Sequence, residues 1–312
     1  MSTAATPLTA HRFGFACMVG RPNAGKSTLT NALVGDKVAI TSSRPQTTRH
    51  TVRGIVTRPD AQLVLVDTPG LHKPKTLLGE RLNAVVRDTW SEVDVIALCI
   101  PANETVGRGD EFIASEISEI RRTKKFAIVT KTDLVGPSTL AERLIQVGEL
   151  GRKVGVDWSE MVPVSAVAGF QTQLLTDLFM SELPEGPAMY PEGDLTDEPE
   201  LVMIGELIRE AALEGVRDEL PHSIAVVVEE MGLREGRSAD RPLADVFAVI
   251  YVERPSQKSI VIGTGGARLK HVGTQARTQI ERLLGTPVYL DLRVKVAKDW
   301  QRDPKALNRL GF

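Results

Sequence analysis

The feature that most constrains this 312-residue chain is a glycine-rich octapeptide that directly follows an apolar run. Residues 20–27 read Gly-Arg-Pro-Asn-Ala-Gly-Lys-Ser and match the pattern G-x-x-x-x-G-K-[ST]. The apolar run at 13–19 predicts a strand before this loop, and Leu29 and Leu33 predict a helix after it. A strand, a loop and a helix in this order are typical of an α/β fold in which the loop surrounds a phosphate group.

The role expected of each loop position follows from that fold. Glycines let the backbone curl, so that successive N–H groups and the helix N-terminus point at an anion. We expect Lys26 to reach the β- and γ-phosphates of a nucleotide and Ser27 to bind Mg²⁺ through its hydroxyl. The predicted phosphate-binding residues are Gly20, Asn23, Ala24, Gly25, Lys26, Ser27, Thr28 and, from a later loop, Gly70.

Strand-like and helix-like runs alternate from about residue 11 to residue 182. This alternation indicates a three-layer α/β arrangement around a mostly parallel sheet. Only residues 58–61 join the second and third strands, so we predict that these two are antiparallel and that the sheet is mixed. The predicted strands lie near 13–19, 51–57, 62–66, 93–100, 126–130 and 161–164, and the predicted helices near 26–34, 76–91, 109–121, 138–154 and 171–181.

The overall composition indicates an ordinary globular protein. Hydrophobic residues make up 42% of the chain, and the formal net charge is −2, so any surface for a polyanion must come from local charge. Cys17 and Cys99 each lie in an apolar run, which predicts buried thiols in a reducing compartment. No secretion signal or membrane-spanning run is recognisable. We therefore expect a soluble, cytoplasmic monomer, and peripheral contact with the inner face of the membrane stays open.

Two further loops are predicted to sense the γ-phosphate. Asp67-Thr-Pro-Gly70 ends the apolar run at 63–66, where an Asp can hold Mg²⁺ through water and a glycine N–H can bond the γ-phosphate. Residues 44–50 occupy the place of the other switch loop, and we favour Thr48 over Thr47 as its Mg²⁺ ligand. The predicted metal ligands are thus Ser27, Thr48 and Asp67, and the predicted switch residues are Thr47, Thr48, Asp67, Thr68, Pro69, Gly70 and Leu71.

The choice of base depends on residues 130–133, Thr-Lys-Thr-Asp, which resemble the N/T-K-x-D guanine motif of GTPases. The Asp133 carboxylate can accept hydrogen bonds from guanine N1–H and the exocyclic amine, a pair that adenine lacks. Lys131 is expected to lie along the purine face, and Thr130 replaces the usual Asn, so we expect weaker bracing of the phosphate loop. Ser165 and Ala166 resemble the short motif whose backbone N–H contacts guanine O6.

The second half of the chain has a different pattern. Residues 183–199 are rich in Pro and acidic side chains and predict a linker. A helix near 200–217, strands near 223–230 and 244–253, two helices within 256–284 and a strand at 287–297 follow. Residues 254–312 contain twelve Lys and Arg but only four Asp and Glu. Their net charge of +8 suits contacts with nucleic-acid phosphates.

A Gly-Thr-Gly-Gly sequence at 263–266 lies between the two helices of this basic half. It resembles the G-x-x-G loop with which KH domains clamp the backbone of single-stranded RNA, and the order of elements resembles the type II KH arrangement. Glycines are needed there because the sugar-phosphate must approach the protein backbone closely. The predicted RNA-binding residues are Gly263, Thr264, Gly265, Gly266, Arg268, Lys270, Arg277, Arg293 and Lys295.

Taken together, these segments resemble the Era family of bacterial GTPases. The resemblance covers nearly the whole chain in order: the loop at 20–27, Pro-Gln-Thr-Thr-Arg-His at 45–50, Asp-Thr-Pro-Gly-Leu-His-Lys-Pro at 67–74, Pro-Val-Ser-Ala at 163–166 and the segments 294–300 and 303–311. It implies binding of GTP and GDP, and hydrolysis that is slow because Leu71 stands where other GTPases carry a glutamine. It also implies binding to the 3′ end of 16S rRNA and a role in maturation of the 30S ribosomal subunit.

The resemblance implies one more cofactor. Similar GTPases with a Pro-Asn-x-Gly-Lys-Ser loop and no glutamine use the Asn to help hold K⁺, so Asn23 is a candidate K⁺ ligand here. The alternative for Asn23 is a bracing role toward the switch loop at 44–50.

The predicted fold class is an α/β P-loop GTPase domain, three-layered with a mixed and mostly parallel sheet, followed by an α+β type II KH domain. The predicted boundaries are a disordered N-terminus at 1–10, the GTPase domain at 11–182, the linker at 183–199 and the KH domain at 200–312. In this hypothesis GTP orders the switch loops, and the linker transmits their state to the RNA groove. Two other interpretations stay open, a GTPase that supports tRNA modification and a signalling switch that acts on protein partners.

Overall fold

The computed structural model of the protein describes residues 11–41, 48–71, 74, 76–216, 220–238 and 240–312, without the side chains of 221 and 222. The predicted disordered N-terminus and the predicted switch residue Thr47 lie outside these residues. The chain divides into two compact units. The first takes in the described residues of 1–39, 48–72 and 84–197, and the second takes in those of 40–47, 73–83 and 198–312.

The first unit alternates strands and helices as the sequence predicts. Each element agrees with its predicted range to within about three residues. They are β1 (Arg12–Val19), α1 (Lys26–Val34), β2 (Val52–Arg58), β3 (Ala61–Asp67), α2 (Leu77–Glu92), β4 (Val95–Pro101), α3 (Arg108–Ser118), β5 (Lys124–Thr130), α4 (Pro137–Val154), β6 (Glu160–Pro163) and α5 (Thr172–Glu182).

The six strands form one sheet in the order β2-β3-β1-β4-β5-β6. All neighbours are parallel except β2 and β3, whose register pairs Arg58 with Ala61 across a two-residue turn. The predicted antiparallel pair is therefore confirmed, because a connection this short cannot cross over the sheet. The carboxyl ends of the parallel strands β1, β3, β4, β5 and β6 meet at one edge, where α/β sheets place their ligands.

Burial along the strands explains the three layers. Every residue of β3 and β4 is buried, as expected for strands covered by helices on both faces. Alternate residues of these strands enter two separate apolar clusters, which contain the buried free cysteines Cys99 and Cys17 respectively. The predicted three-layer, mixed and mostly parallel sheet is confirmed.

Much of the segment predicted as a linker is bonded to the first unit. Its start pairs with β1, where the Phe13 N–H donates to the Pro184 carbonyl at 3.1 Å. Its end covers the outer edge of β2, where the Ile55 N–H donates to the Leu195 carbonyl at 2.8 Å. Between these points the buried Gln62 side chain bonds backbone groups of residues 189 and 190. We call residues 184–197 the strap; it covers the outer edge of β2, the side that does not pair with β3.

The second unit is an α+β arrangement. It contains α6 (Glu200–Leu213), α7 (Leu220–Ser223), β7 (Ala225–Leu233), β8 (Ala244–Val252), α8 (Pro255–Ile262), α9 (Ala267–Leu284), β9 (Val288–Val296) and α10 (Pro304–Arg309). The three-stranded sheet has the order β7-β8-β9, with β7 antiparallel and β9 parallel to β8. One face of the sheet packs with α6, α8 and α9 around a single apolar core.

In α9, apolar residues recur at helical spacing and predict which face of the helix is buried, with one exception. Val272, Ala276 and Ile280 are buried, and Leu269 packs against the core. Leu283, which the spacing also predicts to be core, is 38% exposed in the last turn of the helix. The C-terminal helix α10 is not predicted from the sequence, because its six residues are too few to show a periodicity.

Among the residues that the structure describes, no helix is both long enough and apolar enough to cross a membrane.

Candidate nucleotide site and nucleic-acid groove

The phosphate loop connects β1 to α1 and needs glycine at both ends. Gly20 has φ 152°, and a Cβ at this position would lie 2.7 Å from the Cys99 carbonyl oxygen of the neighbouring strand. Gly25 has φ 88° and forms the N-terminal cap of α1. The loop therefore passes close to β4 and then turns into the helix, whose first N–H groups can face an anion.

Lys26 is the buried cation of this loop, with only 6% of the residue exposed. Its Nζ donates to the carbonyl oxygens of Gly20 and Arg21, at 3.3 and 3.2 Å. Burial lowers the pKa of the ammonium group, because water no longer solvates its charge. A phosphate held by the loop would restore a counter-charge, so the Lys26 ammonium can bind it.

The three predicted metal ligands converge. The Ser27 hydroxyl donates to Asp67 Oδ2 at 2.6 Å and lies 3.0 Å from Thr48 Oγ1, and the Thr48 hydroxyl lies 3.2 Å from the same carboxylate oxygen. The other carboxylate oxygen, Oδ1, is buried without a hydrogen-bond partner among the described residues. Burial also raises the pKa of Asp67. Two hydroxyls and a carboxylate are oxygen ligands of the kind that Mg²⁺ prefers, so the residues present fit this ion.

The loop after β3 packs directly on the phosphate loop. A Cβ at Gly70 would lie 2.9 Å from the backbone nitrogen of Pro22, so only glycine fits this approach. The Thr68 hydroxyl donates to the Met18 carbonyl at 2.9 Å, and Pro69 is buried beside it. Leu71 is 4% exposed and belongs to the apolar core, so it offers no polar group to a water molecule.

The guanine-motif residues lie together at the ends of β5 and β6. The Ser165 hydroxyl donates to Asp133 Oδ1 at 2.6 Å and also accepts the Ala168 N–H at 3.0 Å. The Ser165 N–H donates to the Phe170 carbonyl, so a backbone contact with a guanine O6 falls to Ala166. Lys131 adopts φ 57°, and its stem lies near Gly25 of the phosphate loop.

Two supports of the phosphate loop are not evident from the sequence. The Thr130 hydroxyl donates to the Ala24 carbonyl at 2.7 Å, across 106 residues. The Arg21 guanidinium donates to Asp110 at 2.7 Å, and this carboxylate is fully buried at the start of α3. Both contacts join segments that follow different strands of the sheet and are distant in the chain. Only the sheet order could have predicted them.

The second unit contains a groove of about 640 Å³ along α9 and β9. It begins at the glycine-rich turn, where Gly263, Gly265 and Gly266 have φ 72°, 57° and 79°. A Cβ at Gly263 would lie 2.7 Å from the Arg268 Cβ, so the turn requires glycine there. The lining residues are Leu243, Gly266, Leu269, Lys270, Gly273, Thr274, Arg277, Val288, Tyr289, Leu290 and Leu292.

The structure separates the predicted RNA-binding residues into two groups. Gly266, Lys270 and Arg277 line the groove, and Thr264 and Gly265 are exposed at its glycine-rich end. The other three side chains do not line it. Arg268 donates to the carbonyls of Ala212 and Glu214, Arg293 pairs with Asp291 at 3.4 Å, and Lys295 pairs with Glu229 at 3.1 Å. Lys270 and Arg277 are thus the cations that border the groove among the described residues.

Comparison with known proteins gives a consistent result for both units. The family described as "50S ribosome-binding GTPase" matches residues 15–132, and the family described as "KH domain" matches residues 219–301. The chain is 74% identical to a protein named GTPase Era from Streptomyces coelicolor, over 97% of this chain and 96% of that one. It is 66% identical to a GTPase Era from a Nocardioides species, over 98% of each.

Two solved structures are also similar over nearly the full length. One is Era in complex with MgGDPNP and nucleotides 1506–1542 of 16S ribosomal RNA, with a TM-score of 0.90 at 36% identity, covering 96% of this chain and 99% of that one. The other is a single-substitution variant of Aquifex aeolicus Era bound to GDP·AlF4⁻, with a TM-score of 0.89 at 34% identity and the same coverage.

Proposed function

This chain belongs to the Era family of GTPases, and on that premise we propose that it couples GTP binding and hydrolysis in its first unit to RNA binding in its second. The GTPase domain is assigned to residues 11–182 and the KH domain to 200–312. This division is supported by the two family matches at 15–132 and 219–301. The convergence of Ser27, Thr48 and Asp67 beside the phosphate loop is the observation that carries the nucleotide part.

The nucleotide site is assigned to the residues that the motifs predict. The phosphate loop and Gly70 bind the phosphates, Asp133 and Ala166 read the guanine, and Lys131 covers its face. Ser27, Thr48 and Asp67 would hold Mg²⁺, which supplies positive charge to the β- and γ-phosphates when bound. A solved relative carries Mg²⁺ with a GTP analogue, which supports this assignment.

Hydrolysis is expected to be slow because Leu71 is buried and apolar and cannot orient the attacking water. Another group must therefore stabilise the negative charge of the transition state. We assign this role to K⁺ held with the help of Asn23. Asn23 is exposed in the phosphate loop and adopts φ 63°, a conformation that Asn tolerates better than most residues. Its side chain is therefore placed for a role beyond packing.

Rates of GTP turnover in K⁺ and in Na⁺, at equal ionic strength, test the K⁺ assignment. We expect several-fold faster turnover in K⁺, and loss of the difference in both Asn23→Ala and Asn23→Gly. The second variant is the control for backbone strain, because glycine adopts φ 63° without strain and alanine adopts it only at a cost. Equal wild-type rates in the two salts would overturn the assignment and favour the alternative in which Asn23 braces the switch loop.

The RNA partner is proposed to be the 3′ end of 16S rRNA within the 30S subunit, and the role to be small-subunit assembly. A relative at 36% identity is solved with nucleotides 1506–1542 of this RNA. In this chain the groove along α9 has apolar walls, two bordering cations and a glycine-rich end, as a single-stranded RNA requires.

Replacement of Gly263 and Gly266 by Asp tests the RNA assignment. Both positions have positive φ, so a side chain strains the turn, and each carboxylate repels phosphate. We expect the double variant to lose most of its affinity for the 1506–1542 fragment while GTP affinity stays unchanged. Gly236→Asp serves as the matched control, because Gly236 also has positive φ, 76°, and does not line the groove. Unchanged RNA affinity in the double variant would contradict the assignment.

Nucleotide control of the groove is the third part of the proposal. Helix α2 follows the switch residues 67–71 and has residues 77–83 in the second unit and 84–92 in the first. A change in the switch can thus reach the second unit through this shared helix. We assign the signal to α2 rather than to the strap, because residues 184–197 are held by β1, β2 and Gln62 of the first unit.

Location and assembly state complete the proposal. A ribosomal RNA partner favours a cytoplasmic location. We propose separately that the protein is a monomer and that a peripheral association with the inner face of the cytoplasmic membrane is an additional location. Sedimentation velocity tests the monomer. Fractionation of cells tests the membrane contact: protein released from the membrane pellet by salt supports it, and protein absent from that pellet contradicts it.

A further inference from the structure

The groove of the second unit lies between one side of α9 and the core-facing side of β9. Its lining residues on α9 recur every three or four positions, so they form one stripe along the helix. They are Gly266, Leu269, Lys270, Gly273, Thr274 and Arg277. On β9 the alternate residues Val288, Leu290 and Leu292 line the groove, and they belong to the apolar core or pack against it. Because α9 packs on the same core, the stripe and these strand residues face each other.

Gly273 lies at the middle of this stripe, where glycine is an unfavourable residue. Lys270 precedes it by one helical turn and Arg277 follows it by one helical turn, so both ends of the stripe continue as helix. In the interior of a helix glycine is less stable than alanine, because it loses more backbone freedom on folding. The stability of α9 alone would therefore favour a different residue at this position.

Neither backbone conformation nor close packing requires glycine at position 273. Unlike the glycines of the turn at 263–266, Gly273 has no positive φ and lies within a continuous helix. Among the described residues, a Cβ here would come within 4 Å of Leu292 alone, outside the backbone of its own helix. Its distance from the Leu292 Cδ1 would be 3.6 Å, an ordinary van der Waals contact. Alanine would therefore fit without a clash, and a longer side chain would extend into the groove.

A side chain at position 273 would occupy the space between the bordering cations and the apolar strand wall. Lys270 and Arg277 suit the phosphates of a single RNA strand, and the Leu290 and Leu292 side chains suit its bases. A base that points from this backbone toward the strand wall must pass α9 at Gly273. A hydrogen atom in place of a side chain lets the base approach the helix closely.

We propose that Gly273 admits unpaired bases to the RNA groove, because its lack of a side chain leaves room for a base between α9 and β9. The inference rests on the proposed RNA function and adds a residue that determines which ligands the groove accepts. It predicts that a side chain at this position stabilises the helix and weakens RNA binding. A role in packing would instead change stability and RNA binding in the same direction.

The experiment compares full-length variants by thermal denaturation and by equilibrium binding to nucleotides 1506–1542 of 16S rRNA. We expect Gly273→Ala to raise the melting temperature of the second unit by about 2–4 °C, because alanine favours the helix. The same variant should bind the RNA more weakly than the wild-type protein does. Gly273→Leu should bind it about 5- to 150-fold more weakly, the range for one base that loses its contacts.

Gly148→Ala and Gly148→Leu are the matched controls, because Gly148 lies inside α4 of the first unit and a Cβ there would have no described atom within 4 Å. Both controls should keep wild-type RNA affinity. Wild-type RNA affinity in the Gly273 variants would overturn the proposal and leave the RNA function standing, and Gly273→Ala alone decides if Gly273→Leu does not fold. A lower melting temperature in Gly273→Ala would also overturn it, because glycine would then be needed for packing. Absence of RNA binding by the wild-type protein would overturn the RNA function itself.

Discussion

Thr130 supports the phosphate loop through a hydroxyl group, at a position where GTPases usually carry the amide of Asn. The guanine motif usually begins with Asn, and the absence of that amide predicts weaker bracing of the phosphate loop. In the structure the Thr130 hydroxyl donates to the Ala24 carbonyl at 2.7 Å, and both residues are buried. One hydroxyl therefore supplies a contact between β5 and the phosphate loop without an amide.

The Thr130 hydroxyl should slow the release of nucleotide. Thr130→Val keeps the side-chain shape and leaves the Ala24 carbonyl without its donor, at a cost of about 1–2 kcal/mol. We expect GDP to dissociate about 5- to 30-fold faster from this variant, as measured by stopped-flow release of a fluorescent GDP. Thr130→Ser is the matched control, because it keeps the hydroxyl and should remain close to the wild-type rate. Equal rates in all three proteins would show that the bond does not support the loop.

Asp133 should determine the preference for guanine. Its carboxylate is oriented by the Ser165 hydroxyl at 2.6 Å and can accept both guanine donors. In Asp133→Asn an amide donor faces a guanine donor, so GTP affinity should fall by roughly 100-fold or more while xanthosine triphosphate affinity rises. Competition binding with the two nucleotides measures this change. A variant that keeps wild-type GTP affinity and ignores xanthosine triphosphate would show that Asp133 does not read the base.

At the level of secondary structure, periodicity predicted the strands and the longer helices of both units, because each has a face that must be buried; the short helices α7 and α10 were not predicted. The antiparallel β2–β3 pair followed from the length of one connection. The attachment of the strap could not be predicted, because its hydrogen bonds go to Gln62 and to the edges of β1 and β2. Such bonds to distant partners leave no periodic pattern in residues 184–197.

Gln62 should hold the strap in place. Its fully buried amide accepts from the backbone N–H groups of Met189 and Tyr190, at 2.8 and 2.9 Å, and donates to the Tyr190 carbonyl at 3.0 Å. In Gln62→Leu these groups lose their partner, which should lower the free energy of unfolding by about 2–4 kcal/mol.

Urea denaturation and hydrogen exchange measure the effect of Gln62→Leu. The amides of residues 189 and 190 should exchange much faster in the variant, while those of β4 change little. Gln173→Leu is the control, because Gln173 is an exposed residue of α5 whose amide donates to Asp177 at 3.2 Å. Wild-type exchange at residues 189 and 190 in Gln62→Leu would contradict the proposed role.

For the molecule as a whole, most of the nucleotide site could be predicted because its motifs directly follow strands. Parallel strands bring their carboxyl ends to one edge, so residues 20–27, 67–70, 130–133 and 165–166 had to meet. The Arg21–Asp110 pair and the Arg234 contact with Tyr289 could not be predicted, because each joins elements whose side-chain directions depend on the folded sheet.

For the second unit, counting charged residues could not predict which cations line the groove. It identified a basic half, and in the structure Lys270 and Arg277 line the groove, although Arg277 also lies 4.0 Å from Glu281, whereas Arg293 and Lys295 pair with acidic residues and do not line it. Lys270 and Arg277 should therefore contribute more to RNA affinity than Arg293 and Lys295. Fluorescence anisotropy of the RNA with single alanine variants at these four positions measures the difference. Equal losses at all four would indicate a binding surface larger than the groove.

The affinity of the full-length protein for nucleotides 1506–1542 of 16S rRNA, measured in parallel with GDPNP and with GDP, tests most directly whether nucleotide state controls RNA binding. A relative is solved with MgGDPNP and this RNA together, so we expect the GTP-analogue form to bind more tightly, by about fivefold or more. By reciprocity, the RNA should tighten GDPNP binding relative to GDP by the same factor. Equal RNA affinities in the two nucleotide states would contradict the coupling of the two units.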